Sequence, residues 1–530
     1  MRPLTIDSAC IFYPRGGSAQ VIRYLLKEFN QRGSSTRLHA GSLGPAGHPG
    51  HAPSFYQDLD LHPYDYNPAH EQWTNGANAQ ELRDHPFHPS YEDRSQPDVG
   101  CPDPMFAATS TIGAARLSAA WHNHLTEHRT PETVDVLHLH HLSYLQDAAA
   151  RAYPHVPVVT TLHGTELKQL AGMLERLALA QRLDTSLADL ADYFPLKRPH
   201  RLQAIDRLAA RHGLSETEHQ LLTTTNWPQW RNSMYWHQAL RYAAAKAGQI
   251  VAVSEHDRDL ARQLLPSLAG REVPVITNGA DTSRFHPAQP SDEQRIGNLR
   301  RWLVTDPQGW DESGQPGSIR YTEADLARLT DPDTGRLRPL ILWSGRFLDF
   351  KRVPVMLEGF AKASEQLPVA PVLLMWGGYP GEFEGRHPAA VAAELGISDS
   401  VFFIGWRGHN DLPTGLQTAD IMAAPAVNEP FGMVYVEAMA CGTPPVATAT
   451  GGPAQIITPA GPTANGWLVK PDSPDALAQA LVAALSDDHE RRRRAATAAR
   501  HARDVYSWAR VADRYTEVYE KAIFQASAFR

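Results

Sequence analysis

The stretch "NEPFGMVYVEAMACGTPPVATATGGPAQII", Asn428–Ile457, sets two glutamates, Glu429 and Glu437, about an apolar segment of helical character. Pro430 suits a first helical turn and Gly442 the position just past an end, so the spacing predicts a helix from about Phe431 to Cys441. The N–H groups of Gly432, Met433 and Val434 would have no partner inside that helix and would attract an anion such as a diphosphate. Glu437 lies four residues beyond Met433, on the same face, with its side chain leaning toward the N-terminus. A buried carboxylate is costly unless something satisfies it. Two readings follow. The glutamates flank a bound phosphate and accept hydrogen bonds from a ligand's hydroxyls, or Glu429 caps the helix and Glu437 sits in a structural ion pair.

Around this stretch the chain alternates by type. Upstream run "PLILWSGR", "VPVMLEGFAKAS", "PVLLMWGG", "AAVAAELG", "SVFFIGW", "LPTGLQTA" and "DIMAAPA"; downstream follow "TPPVATA" and "NGWLVKP". These are short apolar strands interleaved with helical patterns. The first half repeats the habit: "LTIDSACIFYP" as strand, "GGSAQVIRYLLKEFNQRG" as turn and amphipathic helix, then the strands "TRLHAGSL", "VDVLHLHHL", "PVVTTLHGTE", "QIVAVSE" and "VPVITNGAD". Strands alternating with helices argue two doubly wound parallel sheets, α/β in class, with ligands beyond the carboxyl ends of the strands. Two such sheets facing each other would form a cleft. Periodicity fails from about 44 to 105, turns helical from 168 to 247, and gives way to turn-rich sequence from about 287 to 335.

The whole chain has 530 residues, too many for one core, and its 42% hydrophobic and 20% charged composition is that of a globular protein. A formal charge of −8 leaves no basic footprint for nucleic acid. The run "HERRRRAATAARHAR" from His489 reads as a solvated helix face. Cys10, Cys101 and Cys441 are too few for a disulfide framework or a zinc site. The N-terminal stretch lacks a signal-peptide core and no run suggests a spanning helix, so the expected location is cytoplasmic, with no integral membrane segment.

Other strand ends carry chemistry. "WSGRFLDFKR" sets Arg346 and Lys351 just after a strand, a planar fork of donors beside a mobile point charge, as around phosphates. "YPRGGSAQ" sets Gly16 and Gly17 at the first strand–helix turn, and "TLHGTE" sets His163 at another strand end. Taken singly, these read as surface charges, turn glycines and a structural histidine.

Taken together, "TLHGTE", "IVAVSE", "ITNGADTSRFHP", "GRFLDFKR", "EPFGMVYVE" and "GGPAQII…NGWLVKPDSPDALAQAL" resemble, in order, the landmarks of the retaining, nucleotide-sugar-dependent glycosyltransferases of the GT-B fold, family 4, with their Glu-x7-Glu signature. The resemblance implies a Rossmann-like N-terminal, acceptor-binding domain over 1–285, with inserts at about 44–105 and 168–247. It implies a nucleotide-sugar-binding domain over 286–505, with an insert at about 288–335, and a last helix, 506–530, crossing back to the first domain. It implies that Arg346 and Lys351 neutralise the donor diphosphate. Glu429 would hold the sugar hydroxyls and Glu437 the ribose. The amides of Gly432, Met433 and Val434 would serve sugar and phosphate, Gly16 and Gly17 would close over the diphosphate, and His163 would meet the reacting sugar. Trp406 and Arg407 match the region that receives the base. His138, His140 and His141, ending a strand, are the expected acceptor contacts.

The implied activity is hexosyl transfer from a UDP- or GDP-linked sugar to a small polar acceptor in natural-product or sugar-conjugate biosynthesis, on one face of the sugar, without metal or other cofactor. The competing readings are a sugar phosphorylase or nucleotide-sugar epimerase on the same fold, and a non-catalytic nucleotide-sugar-binding protein. A metal-dependent transferase would need an Asp-x-Asp pair; Asp58–Asp60 and Asp331–Asp333 have the spacing but sit in turn-rich loops. Acceptor, base and oligomeric state, including a homo-oligomer, stay open in the sequence. The inserts are where it departs from the family pattern.

Overall fold

The computed structural model describes residues 2–14, 16–74, 105–128, 134–194 and 200–528. The chain divides into two compact units, Met1–Ile276 with Ala512–Arg530, and Thr277–Val511. Each is built on a six-stranded sheet.

In the first unit the strands are β1 (Thr5–Cys10), β2 (Ser35–Ser42), β3 (Leu61–Asp65), β4 (Val136–His140), β5 (Val158–Leu162) and β6 (Gln249–Ala252), in the order β3-β2-β1-β4-β5-β6. In the second they are β7 (Leu340–Gly345), β8 (Val372–Gly377), β9 (Val401–Gly405), β10 (Ile421–Ala424), β11 (Pro445–Thr448) and β12 (Trp467–Val469), in the order β12-β11-β10-β7-β8-β9. Every pairing is parallel. Read from its own first strand, each sheet runs 3-2-1-4-5-6, the doubly wound order, with the reversal between β1 and β4 and between β7 and β10. The central strands are buried along their length because helices cover both faces, hence their continuous apolar runs.

Two strand expectations change. "VPVITNGAD" forms only a bridge between Val275 and Ala252, since Pro274 has no N–H to continue a ladder. Conversely β3, "LHPYD", lies in the stretch that shows no period. It is five residues long and an edge strand, which is where Pro63 is tolerated.

The described residues between 165 and 247 are mostly helical, as their pattern predicts, and carry a small core of their own, in which Leu187, Leu190, Ile205, Leu222 and Trp227 pack together. Arg201 ties that core by donating to the carbonyls of Phe194, Thr223 and Thr225. The turn-rich segment before β7 is also ordered. It forms a helix, Asp292–Arg300, and buries Trp302 and Trp310 completely. The basic run near 490 is not simply a solvated face: Arg493 and Arg494 pair with Glu490 and donate to the carbonyls of Pro462 and Pro459. The last helix, Trp508–Ala528, rejoins the first unit at Ala512 and buries Tyr515 and Tyr519 there. Among the described residues no helix is long and apolar enough to cross a membrane.

Candidate functional site

At the sheet reversal of the second unit, β7 and β10 end side by side. β7 delivers Gly345 and Arg346; a short turn then brings Lys351 round before the helix Val353–Ser364. β10 leads to Asn428, whose φ of 53° bends the chain into Glu429. Lys351 Nζ and Glu429 Oε2 lie 2.5 Å apart, with side chains 15% and 13% exposed. Arg346 reaches Glu382 Oε1 at 3.1 Å, on the loop after β8. The three groups singled out at these strand ends thus lie at one end of the sheet.

The helix that follows begins at Met433, two residues later than the spacing predicts, because Gly432 is its N-cap in the left-handed region at φ 87°. A Cβ there would lie 2.4 Å from the Tyr435 ring. Glu429 is therefore not the cap; its partner is Lys351. Its own carbonyl accepts the Gly452 N–H at 2.8 Å, and a Cβ on Gly452 would come within 2.4 Å of the Phe431 backbone, which explains the "GG" of the quoted stretch. Glu437, 4% exposed, accepts from His409 Nε2 at 2.8 Å. Its structural partner is thus a histidine from the loop after β9, joined to it by a hydrogen bond.

Trp406 and Arg407 part company. Trp406 is 39% exposed and meets the Tyr379 ring edge-on at 5.5 Å, so the loops after β8 and β9 share an aromatic wall. Arg407 turns inward. It donates to Asp306 Oδ2 at 2.8 Å and to the Trp302 carbonyl at 3.0 Å, so its guanidinium holds the insert rather than standing open for a base. Hydrogen bonds from Gln308 and Arg407 hold the Asp306 carboxyl below the usual range.

In the first unit, Gly16 caps the helix Gly17–Gln31, and both glycines are exposed. The three histidines at the end of β4 do not present an open face. β4 is a central strand, covered on both sides. His138 is fully buried, with Nε2 at 2.8 Å from Thr161 Oγ1 and Nδ1 at 2.7 Å from the Tyr519 hydroxyl; burial pulls its pKa down to about 3. It ties the sheet to the last helix. His141, at φ 67°, puts Nδ1 3.2 Å from Glu166 Oε2. His140 is fully buried, with Nδ1 3.1 Å from His163 Nε2. None of the three is exposed as an acceptor contact. His163 alone of the four is partly exposed, just after β5, and burial lowers its pKa well below the ordinary value.

Three residues of this arrangement escaped the pattern reading: Glu166, Glu382 and His409. Glu166 is fully buried and accepts the His163 backbone N–H at 3.0 Å as well as His141. Its signal was an acid three residues past His163, across a glycine, in "TLHGTE". Glu382 in "GEFEG" and His409 in "WRGHND" had no periodic signal, being loop residues whose partners lie far along the chain. Of the Asp-x-Asp spacings, Asp60 faces Arg37 and His62, and Asp331 accepts from Asp333 N and Thr334 Oγ1.

Residues 15–284 match the model of "Glycosyltransferase Family 4", and residues 334–502 that of "Glycosyl transferases group 1". Among curated proteins, the chain is 33% identical over 251 residues to the D-inositol 3-phosphate glycosyltransferase of Corynebacterium urealyticum, covering 47% of this chain and 56% of that one. It is 32% identical over 256 residues to that of Salinispora arenicola, covering 47% and 50%. The chain spans about half the length of these curated relatives. Among solved structures it resembles sucrose-phosphate synthase from Thermosynechococcus elongatus, with TM-score 0.59, 16% identity and coverage of 99% and 100%. It also resembles Anabaena HepE in complex with UDP, with TM-score 0.52, 16% identity and coverage of 98% and 100%. At such identities these two speak for the fold.

Proposed function

The chain belongs to glycosyltransferase family 4 and has the GT-B fold, and on that premise we propose that it moves a hexosyl unit from a nucleoside diphosphate sugar to a small polyhydroxylated acceptor with retention of anomeric configuration. The observation that carries this reading is the group Arg346, Lys351 and Glu429 at the reversal of the second sheet, beside a helix N-terminus. In doubly wound sheets that is where ligands bind.

The chemistry follows from the charges. A departing diphosphate develops negative charge. Two cations and unpaired helix N–H groups supply the compensation that a metal supplies elsewhere, so the reaction is expected to run without one. Lys351 is held by Glu429, and Arg346 by Glu382, until a diphosphate takes their place. Glu437, low in solvent exposure and held by His409, is the acceptor for ribose hydroxyls, and the Trp406–Tyr379 wall suits a flat base. His163 is the first-unit residue assigned to the transferred sugar.

Retention by double displacement would require a free carboxylate beneath the anomeric carbon. Glu429 is the obvious candidate, but its assigned place is against the hydroxyls of the transferred sugar rather than beneath that carbon. This supports transfer on one face, in which the leaving phosphate accepts the acceptor's proton. Since relatives act on D-inositol 3-phosphate, polyols and polyol phosphates are the first acceptors to assay. Incubation with UDP- and GDP-sugars, with and without EDTA, should yield a new glycoside and free nucleoside diphosphate. Phosphate-dependent sugar release, or interconversion of the free nucleotide sugar, would overturn the reading.

A further inference from the structure

His163 and His140 share one hydrogen bond, and the surroundings decide its direction. His140 Nδ1 lies 3.1 Å from His163 Nε2. The other ring nitrogen of His140, Nε2, is buried and has no hydrogen-bond partner among the described residues. Burial lowers the pKa of both rings well below the ordinary value, so each is neutral at pH 7 and carries one N–H. Two arrangements remain. If His163 donates, the single proton of His140 must sit on Nε2, where it is a buried N–H without an acceptor. If His140 donates, its Nε2 carries only a lone pair. Buried N–H groups without a partner are rarer than under-used acceptors, so the second arrangement is favoured. His163 then receives at Nε2, and its own proton must be on Nδ1.

We propose that His140 is a positioning residue that fixes the tautomer of His163, so that His163 offers an Nδ1–H donor, and no basic nitrogen, to a hydroxyl of the transferred sugar. The sugar contact rests on the function proposed above; the tautomer does not. Glu166 completes the device. It anchors the His163 backbone N–H at 3.0 Å and His141 Nδ1 at 3.2 Å, so the ring is held from both its main chain and its neighbour. Among the described residues nothing is hydrogen-bonded to His163 Nδ1, and the residue is partly exposed. A histidine in this state cannot act there as a general base, which agrees with a reaction in which the leaving phosphate takes the proton.

The test is long-range 1H–15N correlation on the full chain labelled at histidine, with the His163 signals assigned by their loss in His163→Gln. The expected result is a neutral ring protonated at Nδ1 and bare at Nε2. A proton on Nε2, or an imidazolium at pH 7, overturns the proposal whether or not the chain transfers sugar. Two variants then separate positioning from packing. His140→Asn keeps an N–H near the place of Nδ1 and should preserve both the Nδ1–H tautomer and turnover to within about threefold. His140→Leu removes the donor; His163 should shift toward the Nε2–H form and turnover should fall by at least about tenfold, with nucleoside diphosphate affinity unchanged. Equal losses in both variants, or an unaltered His163 tautomer in His140→Leu, would overturn it. An inactive wild-type chain with the expected tautomer would instead count against the proposed function alone.

Discussion

Removing the Glu429 carboxylate should separate two quantities that usually move together, nucleotide affinity and turnover. Lys351 and Glu429 are 2.5 Å apart and only 15% and 13% exposed. Exposed pairs are worth about 0–1 kcal/mol, and breaking a fully buried pair costs about 3–5 kcal/mol, so at this exposure Glu429→Ala should destabilise the ligand-free chain by about 2 kcal/mol. The unit concerned runs from Thr277 to Val511, a size for which that loss lowers the midpoint by about 4–8 °C. A diphosphate restores a counter-charge to Lys351 without having to displace Glu429. Nucleoside diphosphate should therefore bind the variant as tightly as the wild type, or up to about tenfold tighter, and should raise its midpoint by more. Turnover with the intact donor should nonetheless fall by about a hundredfold or more, because the sugar loses its hydroxyl partner. Titration calorimetry, thermal unfolding with and without nucleotide, and initial rates on one preparation decide the matter. If Glu429→Ala weakens nucleoside diphosphate as much as Lys351→Ala does, the assignment of one to sugar and the other to phosphate is wrong.

Lys351→Ala and Arg346→Ala should each weaken donor and free nucleotide together, by about 1.5–3 kcal/mol for one lost charge-assisted contact, read by titration. Glu437→Ala should weaken both as well, and His409→Ala less, since it removes only the partner that orients Glu437; equal donor and nucleotide affinities in wild type and Glu437→Ala would contradict the ribose role. Arg407→Ala should act on stability, lowering the midpoint by an amount corresponding to about 1–3 kcal/mol while leaving catalysis of the surviving folded protein nearly unchanged. His138 is held neutral by burial, with its pKa near 3, whereas the unfolded chain takes up that proton near pH 6.5. Its stabilising contribution is therefore full above about pH 6.5 and is lost as pH falls toward 3, at up to about 1.4 kcal/mol per pH unit. His138→Gln should flatten that part of the pH–stability curve, and an unchanged slope in urea titrations from pH 7 to 5 would refute it.

The sheets were legible because parallel strands covered on both faces must be short, continuous and apolar, as "PLILWSG" and "PVLLMWGG" are, and must alternate with helical patterns. The edge strand Leu61–Asp65 was not, because an edge tolerates proline and asks for little periodicity. At the site, features fixed by local rules were found from sequence: the helix after Glu429, to within two residues of its start, and Arg346 at a strand end. Residues fixed by distant partners were not. Glu382 serves Arg346 across 36 positions and His409 serves Glu437 across 28, and no spacing rule links them. Direction was the other blind spot. The end of β4 reads as open in the sequence, yet His138 and His140 point into covered layers, and in the loop after β9 Arg407 turns from the exposed Trp406 beside it into the insert, a direction that neither period nor spacing encodes.

The account stands or falls on retained sugar transfer. The most direct measurement is NMR of the reaction in progress, with an α-linked nucleoside diphosphate hexose and a polyol or polyol phosphate acceptor, reading the anomeric signal of the first-formed product before any equilibration. The account predicts an α-glycoside appearing in step with free nucleoside diphosphate, unaffected by EDTA. A first-formed β-glycoside would contradict it.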